Sequence, residues 1–280
     1  MHIVTELKSL CGIMKPFVQQ PRLSLKLLAR LPAILRGFNY AQEWQPSDAN
    51  HAFPELSGPP AASRSSNPLR SYFDLNRKGK GILKWVHYFD IYQRYFNKFV
   101  GKEVHILEIG VYGGGSLKMW KDYFGSKCHV YGVDIKEECK VYENEYTNIF
   151  VGNQADRKFW KRFKEKVPVI DILIDDGGHQ AEQQIVTLEE MLPHLSPGGV
   201  YLCEDIHKVH NDFISYLHGL VKNLNNMVQL SELAASPTQF QSRIRSIHFY
   251  PYVAVIEKTE SPEEKFVALK QGTEWQPFLG

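Results

Sequence analysis

Two acidic segments, each directly after an apolar run, contain the side chains best suited to chemistry. The first reads Asp-Asp-Gly-Gly-His at residues 175–179, and the second reads Cys-Glu-Asp-Ile-His at residues 203–207. If the two runs are neighbouring strands of a parallel sheet, their ends lie about 5 Å apart, so that four carboxylates and two imidazoles meet. Carboxylates this close raise one another's pKa unless a cation neutralises them. Three oxygen ligands, one from the first segment and two from the second, would suit Mg²⁺.

A glycine-rich turn earlier in the chain is the second candidate site. The apolar run at residues 104–109 is followed by Gly110 and by consecutive glycines at residues 113–115. Glycine lets the backbone turn tightly and approach a ligand, and the helix that starts next presents free N–H groups to a carboxylate or phosphate. Asp134, at the end of the following apolar run, can accept hydrogen bonds from ribose hydroxyls. The combination predicts a cofactor that contains adenosine; the alternative is an ordinary glycine turn without a ligand.

The spacing of this turn narrows the choice of cofactor. The dinucleotide fingerprint Gly-x-Gly-x-x-Gly requires glycine two residues after the first, where this chain has Tyr112. NAD is therefore disfavoured. Glu108 lies two residues before Gly110. An acidic residue there is the pattern of class I S-adenosylmethionine (SAM) methyltransferases, which the first three strands resemble.

Strand and helix signals alternate through the second half of the chain. The predicted strands are residues 104–109, 129–134, 149–152, 169–174 and 200–203, the predicted helices are residues 116–124, 156–166 and 182–195, and a turn is predicted at residues 196–199. Residues 247–250 and 252–256 predict an antiparallel edge hairpin. Apolar strands alternating with helices imply a parallel sheet covered on both faces. The expected fold is α/β, Rossmann-like, with a mostly parallel seven-stranded sheet, helices on both faces and a C-terminal antiparallel strand. Because ligands of such sheets bind outside the carboxyl ends of the strands, both candidate sites belong to one edge.

The chain is predicted to have three parts. Residues 1–40 carry six basic side chains against one acidic side chain, and their leucine spacing predicts a basic amphipathic helix kinked at Pro32. This arm either caps the protein's own core or docks on an anionic membrane surface or a partner subunit. Residues 41–70, rich in Pro, Gly and Ser, predict a linker or mobile loop. Residues 71–280 form the methyltransferase domain, which begins with an aromatic helix over residues 82–99 that packs in the core.

The composition excludes several classes of protein. The 280 residues are 43% hydrophobic, which excludes disorder throughout, and a net charge of +2 provides no overall field for nucleic acid. No apolar run is long enough to span a membrane, and the first residues do not resemble a secretion signal. Four cysteines far apart in sequence disfavour a disulfide scaffold and a structural zinc site. A soluble, cytoplasmic protein is expected.

The motifs together resemble a known family. The sequence Leu-Glu-Ile-Gly-Val at residues 107–111, both acidic segments and Ile-His-Phe-Tyr at residues 247–250 are similar to those of the macrolide-sugar O-methyltransferases of the mycinamicin VI 2''-O-methyltransferase type. The related cephalosporin-biosynthesis proteins share these features, and the resemblance covers about residues 72–258. Gly178 departs from the family pattern, which has serine there, and this change should alter loop packing more than ligation.

The resemblance implies a role for individual residues. It implies that Asp176, Glu204 and Asp205 bind Mg²⁺, that Asp176 and His179 are catalytic with His179 as the general base, and that Gln154 contacts the adenine. The candidate cofactor residues are Glu108, Gly110, Gly113, Gly114, Ser116, Asp134, Gln154, Asp156 and Asp175. The expected reaction is Mg²⁺-dependent transfer of a methyl group from SAM to a sugar hydroxyl of a natural product, as in antibiotic biosynthesis, or of a glycan. A homo-oligomeric enzyme is expected.

Two other functions would use the same side chains. His179, His207 and one of the carboxylates at residues 204–205 could form a two-histidine, one-carboxylate face for Fe(II), as in an oxygen-dependent hydroxylase of the cephalosporin hydroxylase type. The domain could also be a non-catalytic SAM-fold scaffold attached by the basic arm. Locally, His179 could be a hydrogen-bonded turn residue, and residues 204–205 could cap the next helix. His207 is expected to support the site from outside the ligand set.

Overall fold

The computed structural model describes residues 36, 67–206, 212–226, 230–231 and 234–272. The chain divides into two compact units, Met1–Ser63 and Arg64–Gly280. Our predictions for the basic arm, for the linker up to residue 66 and for His207 lie outside the described residues. The first described helix of the second unit begins at Pro68, three residues before the predicted start of the methyltransferase domain. Within the described ranges no helix has both the length and the apolar character to cross a membrane.

A seven-stranded sheet forms the centre of the second unit. Its strands are β1 (Val104–Ile109), β2 (Cys128–Asp134), β3 (Thr147–Val151), β4 (Ile170–Asp175), β5 (Leu195–Cys203), β8 (Ile244–Tyr250) and β9 (Val253–Lys258), in the order β3-β2-β1-β4-β5-β9-β8. The first five pair in parallel, and β9 pairs antiparallel with both β5 and β8. A small antiparallel sheet contains β6 (Leu230–Ser231), β7 (Ala234–Ala235) and β10 (Phe266–Val267). The predicted α/β fold with its C-terminal antiparallel hairpin is confirmed.

Helices cover both faces of the large sheet. They are α1 (Pro68–Leu75), α2 (Tyr88–Phe96), α3 (Gly115–Phe124), α4 (Arg157–Lys164), α5 (Ala181–Met191), α6 (Asp212–Leu224) and α7 (Gln239–Arg243). One buried apolar cluster joins α1, α2 and α3 to the sheet, and a second joins α4, α5 and α6 to it. Because successive side chains of a strand point to opposite faces of the sheet, Val104 and Ile106 of β1 belong to the first cluster and Leu107 belongs to the second. Glu108 therefore faces the layer of α2 and α3.

Two predicted elements differ from the structure. The aromatic helix begins at Tyr88 instead of residue 82, because residues 82–85 have no regular secondary structure and residues 86–87 form a turn before the helix starts. Trp85 lies just before the helix, and its carbonyl accepts a hydrogen bond from the Tyr88 N–H at 3.0 Å. The turn predicted at residues 196–199 is part of β5 and coincides with a register shift between β4 and β5.

Candidate active site

The carboxyl ends of the parallel strands open into a cavity of about 810 Å³. Its wall contains residues from the loops after β1, β2, β3 and β4, from the end of β5, and from the segment before α2 at residues 81–86. Leu83, Trp85 and Val86 of that segment expose much of their apolar surface. The volume lies within the range of roughly 300–1,000 Å³ that is usual for small-molecule sites.

The loop after β1 requires glycine at position 110. The φ angle of Gly110 is 89°, and a Cβ atom there would lie 2.0 Å from the carbonyl oxygen of Asp176. The loop can therefore pack directly against the loop after β4. Gly113 and Ser116 also line the cavity. Gly114, with φ of 68°, starts α3 but lies against Tyr142 instead of the cavity.

Asp134 lines the cavity at the end of β2 and organises the glycine loop. Its Oδ2 accepts hydrogen bonds from the backbone N–H groups of Val111 and Tyr112, at 3.0 and 3.1 Å. Its Oδ1 accepts from the N–H of Lys136 at 2.9 Å. Because a carboxylate has about four acceptor positions, Asp134 keeps capacity for a hydroxyl of a ligand.

Glu108 lies beneath the cavity instead of in its wall. It is fully buried, and its Oε2 accepts a hydrogen bond from Ser116 Oγ at 2.7 Å. Burial raises the pKa of Glu108, while the charge of Lys84 opposes the rise. The side chain thus supports the loop and the start of α3 from below.

Gln154 and Asp175 form a buried network that joins the loops after β3 and β4. Gln154 Nε2 donates to Asp175 Oδ1 at 3.0 Å and to Thr187 Oγ1 at 3.2 Å, and its Oε1 accepts from the Gly178 N–H at 2.8 Å. Tyr201 donates its hydroxyl to Asp175 Oδ2. Burial raises the pKa of Asp175 to about 6, although the bonds from Gln154 and Tyr201 oppose the rise. Gln154 lines the cavity, but these contacts engage its amide group.

Asp156 has a structural position at the start of α4. Its side chain accepts a hydrogen bond from the Lys158 N–H at 2.9 Å, so it is the N-cap of that helix. Neither Asp156 nor Asp175 is part of the cavity wall.

The two acidic segments meet at the cavity, as the sequence predicted, in a group that we call the rim cluster: Asp176, His179, Glu204 and Asp205. His179 Nε2 lies 4.0 Å from Asp176 Oδ1 and 3.9 Å from Asp205 Oδ2. These three side chains are 20 to 27% exposed. His179 and Asp205 have φ angles of 54° and 55°, an unfavourable region for residues with a Cβ, which is found most often at functional sites.

Lys84 is a central part of the site that sequence reasoning missed. Its ammonium lies 2.6 Å from Asp176 Oδ2, 2.9 Å from Glu204 Oε2 and 3.8 Å from Glu108 Oε1, and its side chain is only 3% exposed. Burial favours the neutral amine, but the charges of the three carboxylates outweigh it and raise the pKa of Lys84 overall. One signal could have found this residue: it is the first of three basic residues in the aromatic stretch at residues 82–99, in a chain whose clustered carboxylates required a cation.

Aromatic side chains of α2 and the segment before it complete the contacts. Tyr92 donates its hydroxyl to Glu204 Oε1 at 2.6 Å, while Tyr88 and Trp85 donate to Asp205 Oδ1 at 2.7 and 3.1 Å. Both oxygens of Glu204 are therefore engaged, whereas Asp205 directs Oδ2 at His179. Burial raises the pKa of Glu204, and the Lys84 ammonium opposes the rise.

Comparison with known proteins identifies the type of domain that carries this cavity. Residues 107–206 match the model of a family described as a methyltransferase domain, so the chain carries a methyltransferase domain of the Rossmann-like type. Demethylmacrocin O-methyltransferase of Streptomyces fradiae is 33% identical over 218 residues, covering 68% of this chain and 54% of that protein. Mycinamicin VI 2''-O-methyltransferase of Micromonospora griseorubida is 31% identical over 204 residues, covering 65% of this chain and 50% of that protein.

A solved structure supports the same assignment. The MycE methyltransferase of the mycinamycin biosynthetic pathway, solved with Mg, SAH and mycinamycin VI, aligns with a TM-score of 0.56 and 28% identity, over 69% of this chain and 53% of that one. The resemblance to the macrolide-sugar O-methyltransferases is thereby confirmed. This chain spans about half the length of these relatives.

Proposed function

We propose that this protein transfers a methyl group from SAM to a sugar hydroxyl in a reaction that depends on Mg²⁺. One observation carries the proposal: Asp176, His179 and Asp205 converge on the wall of a cavity whose other side is the glycine loop. The relatives support the substrates, since two are named demethylmacrocin O-methyltransferase and mycinamicin VI 2''-O-methyltransferase, and MycE was solved with Mg, SAH and mycinamycin VI.

The residues present fit the SAM molecule. Gly110 and Gly177 both line the cavity and let its loops pack closely, because a Cβ at Gly110 would lie 2.0 Å from the Asp176 carbonyl oxygen and a Cβ at Gly177 would lie 2.0 Å from Gln154 Oε1. Asp134 retains acceptor capacity for ribose hydroxyls, and Gly113 and Ser116 line the same wall near the start of α3. The cavity is also large enough for a cofactor together with part of an acceptor.

The residues also fit one divalent cation. Among the predicted ligands, Asp176 Oδ1 and Asp205 Oδ2 face the cavity and would hold it, while Glu204 is turned towards Lys84 and Tyr92. When bound, SAM supplies an electrophilic methyl group, and Mg²⁺ supplies positive charge that lowers the pKa of an acceptor hydroxyl.

The chain's own residues account for the rest of the chemistry. His179 Nε2 takes the proton of the acceptor hydroxyl, and the two carboxylates on either side of it stabilise the resulting imidazolium. The cavity wall orients the acceptor oxygen for in-line attack on the methyl carbon. Trp85, which is 48% exposed in that wall, offers an aromatic face for a sugar ring.

Mass spectrometry of candidate glycosides tests the proposal. Each glycoside is incubated with the protein, SAM and Mg²⁺, and the expected result is a mass gain of one methyl that disappears with EDTA. A protein that binds no SAM in a calorimetric titration would instead be a scaffold. Full turnover in EDTA would refute the metal dependence.

A further inference from the structure

Lys84 occupies a position that a metal ion could otherwise take. Its ammonium contacts one oxygen each of Asp176 and Glu204, the first and second of the three carboxylates that the family resemblance assigns to Mg²⁺. A third carboxylate, Glu108, lies behind it at 3.8 Å. The lysine and both glutamates are almost inaccessible to water.

The burial of these carboxylates explains why a cation is needed there. Removing an ionised carboxylate from water is costly unless an opposite charge and hydrogen bonds replace the water. Glu204 receives both from Lys84 and Tyr92, so its two oxygens are satisfied without a metal. Asp176 differs from Glu204 because only its Oδ2 contacts Lys84, while Oδ1 faces His179.

We propose that Lys84 is a tethered cation that holds Asp176 Oδ2 and Glu204 Oε2, and that a single outer position between Asp176 Oδ1 and Asp205 Oδ2 remains for a divalent ion. Glu204 is then the counter-ion of Lys84 and not a metal ligand. Lys84 also limits the affinity of the outer position, because its charge lies 2.6 Å from a ligand carboxylate. The identity of the outer ion rests on the proposed function, whereas the role of Lys84 rests on these contacts alone.

Binding of Mn²⁺, measured by electron paramagnetic resonance without SAM or acceptor, tests the role of Lys84. Lys84→Met should bind Mn²⁺ at least about tenfold more tightly than the wild type, because three carboxylates lose their internal counter-charge. The matched control is Lys164→Met, which also removes a lysine that pairs with a glutamate, at 2.8 Å, but lies outside the cavity wall. This control should bind Mn²⁺ as the wild type does. Unchanged or weaker binding by Lys84→Met overturns the proposal.

Two carboxylate variants test the proposal even if Lys84→Met does not fold. Asp205→Asn should weaken Mn²⁺ binding by about tenfold or more because it removes a ligand, while Glu204→Gln, which removes only a counter-charge of Lys84, should weaken it clearly less. Equal losses in the two variants would make Glu204 a metal ligand and overturn the proposal. Circular dichroism confirms that each variant is folded.

The outcomes separate this inference from the proposed function. If the wild type binds no Mn²⁺ but Lys84→Met does, Lys84 is the tethered cation and the proposed metal dependence is wrong. If neither folded protein binds Mn²⁺, the outer position does not exist and the inference fails. If the wild type binds Mn²⁺ and loses it equally on mutation of either carboxylate, the metal dependence stands and the role of Lys84 is wrong.

Discussion

Two groups of potential metal ligands lie at opposite ends of the same sheet. The rim cluster follows β4 and β5 at their carboxyl ends. The distal cluster, which consists of Glu103, His105 and His129, lies at the amino ends of β1 and β2. In each, three side chains bring possible ligand atoms within 4.8 Å of one another. By residue type alone, the distal cluster with its two imidazoles would be the better site for a transition metal.

The surroundings of the two clusters differ. In the distal cluster, Glu103 and His129 are 70% and 46% exposed, and the rings of His105 and His129 stack with an interplanar angle of 12°. Their nitrogen lone pairs therefore lie in two nearly parallel planes, one for each stacked ring. The rim cluster lies in a cavity wall above buried carboxylates that need a counter-charge. Convergence, a cavity and buried charge distinguish a functional site from a group of suitable residue types.

The largest effect that we expect from this difference is the loss of activity when His179 of the rim cluster is removed. His179→Ala should lower kcat by about 10³-fold, because it removes the general base, and should leave SAM affinity nearly unchanged. Single-turnover methyl transfer and calorimetry measure the two quantities. His105→Ala, the distal counterpart, should keep the wild-type kcat. Similar losses in both variants would abolish the distinction between the clusters.

Asp176→Asn tests the metal response of the rim. We expect kcat to fall by about 10²-fold and to lose its dependence on added Mg²⁺, because a neutral amide is a much weaker ligand than a carboxylate. The measurement is the rate as a function of Mg²⁺ after treatment with EDTA. Glu103→Gln in the distal cluster should retain the full metal response. A metal response that survives in Asp176→Asn would contradict the assignment.

Tyrosine hydroxyls in the two clusters should differ in their effect on stability. Tyr92→Phe removes a donor to the buried Glu204 and should lower the free energy of unfolding by about 1–3 kcal/mol. Tyr131→Phe removes the hydroxyl that pairs with His105 Nδ1 at 3.2 Å, a partly buried bond to a neutral ring, and should cost less than about 1 kcal/mol. Urea denaturation measures both values. A larger loss of stability in Tyr131→Phe than in Tyr92→Phe would show that the hydrogen bond from Tyr92 to the buried Glu204 does not stabilise the fold.

The smallest effect concerns pH and His105. Burial and the neighbouring His129 lower the pKa of His105 below its ordinary value. A histidine with a lowered pKa in the folded state stabilises the protein above its unfolded pKa and loses that contribution as the pH falls. The unfolding free energy of the wild type minus that of His105→Gln should therefore decrease between pH 7 and pH 5. Because the ring is partly exposed and screened, the decrease should be less than about 1 kcal/mol. An increase over that range would reverse the sign of the assigned shift.

The sheet and the placement of most site residues could be predicted from the sequence. Apolar runs marked each strand, and polar residues directly after them had to lie at one edge, which brought Asp134, Asp176 and Asp205 to the same cavity. Glu108 and Asp175 were also predicted to contact the cofactor. Their side chains end in buried hydrogen-bond networks, because each lies within a strand and its neighbours cover it on that face.

The sequence showed that the clustered carboxylates need a cation, but it could not show that Lys84 is that cation. The clustered carboxylates required positive charge, and Mg²⁺ was the cation that residue types alone indicated. The lysine contacts partners 92 and 120 residues further along the chain. Such a contact depends on the path of residues 82–87, and the aromatic spacing there suggested an earlier helix start. Tertiary packing decided where the helix begins.

The location of Lys84 upstream of β1 has a consequence for how such domains can be divided or recombined. The matched methyltransferase region, residues 107–206, contains every carboxylate of the rim and excludes the ammonium that neutralises them. In a chimera with a crossover between residues 84 and 107, the lysine and the carboxylates that it neutralises would come from different parent proteins. We expect the segment before the sheet to be inherited together with it, as one exchangeable module.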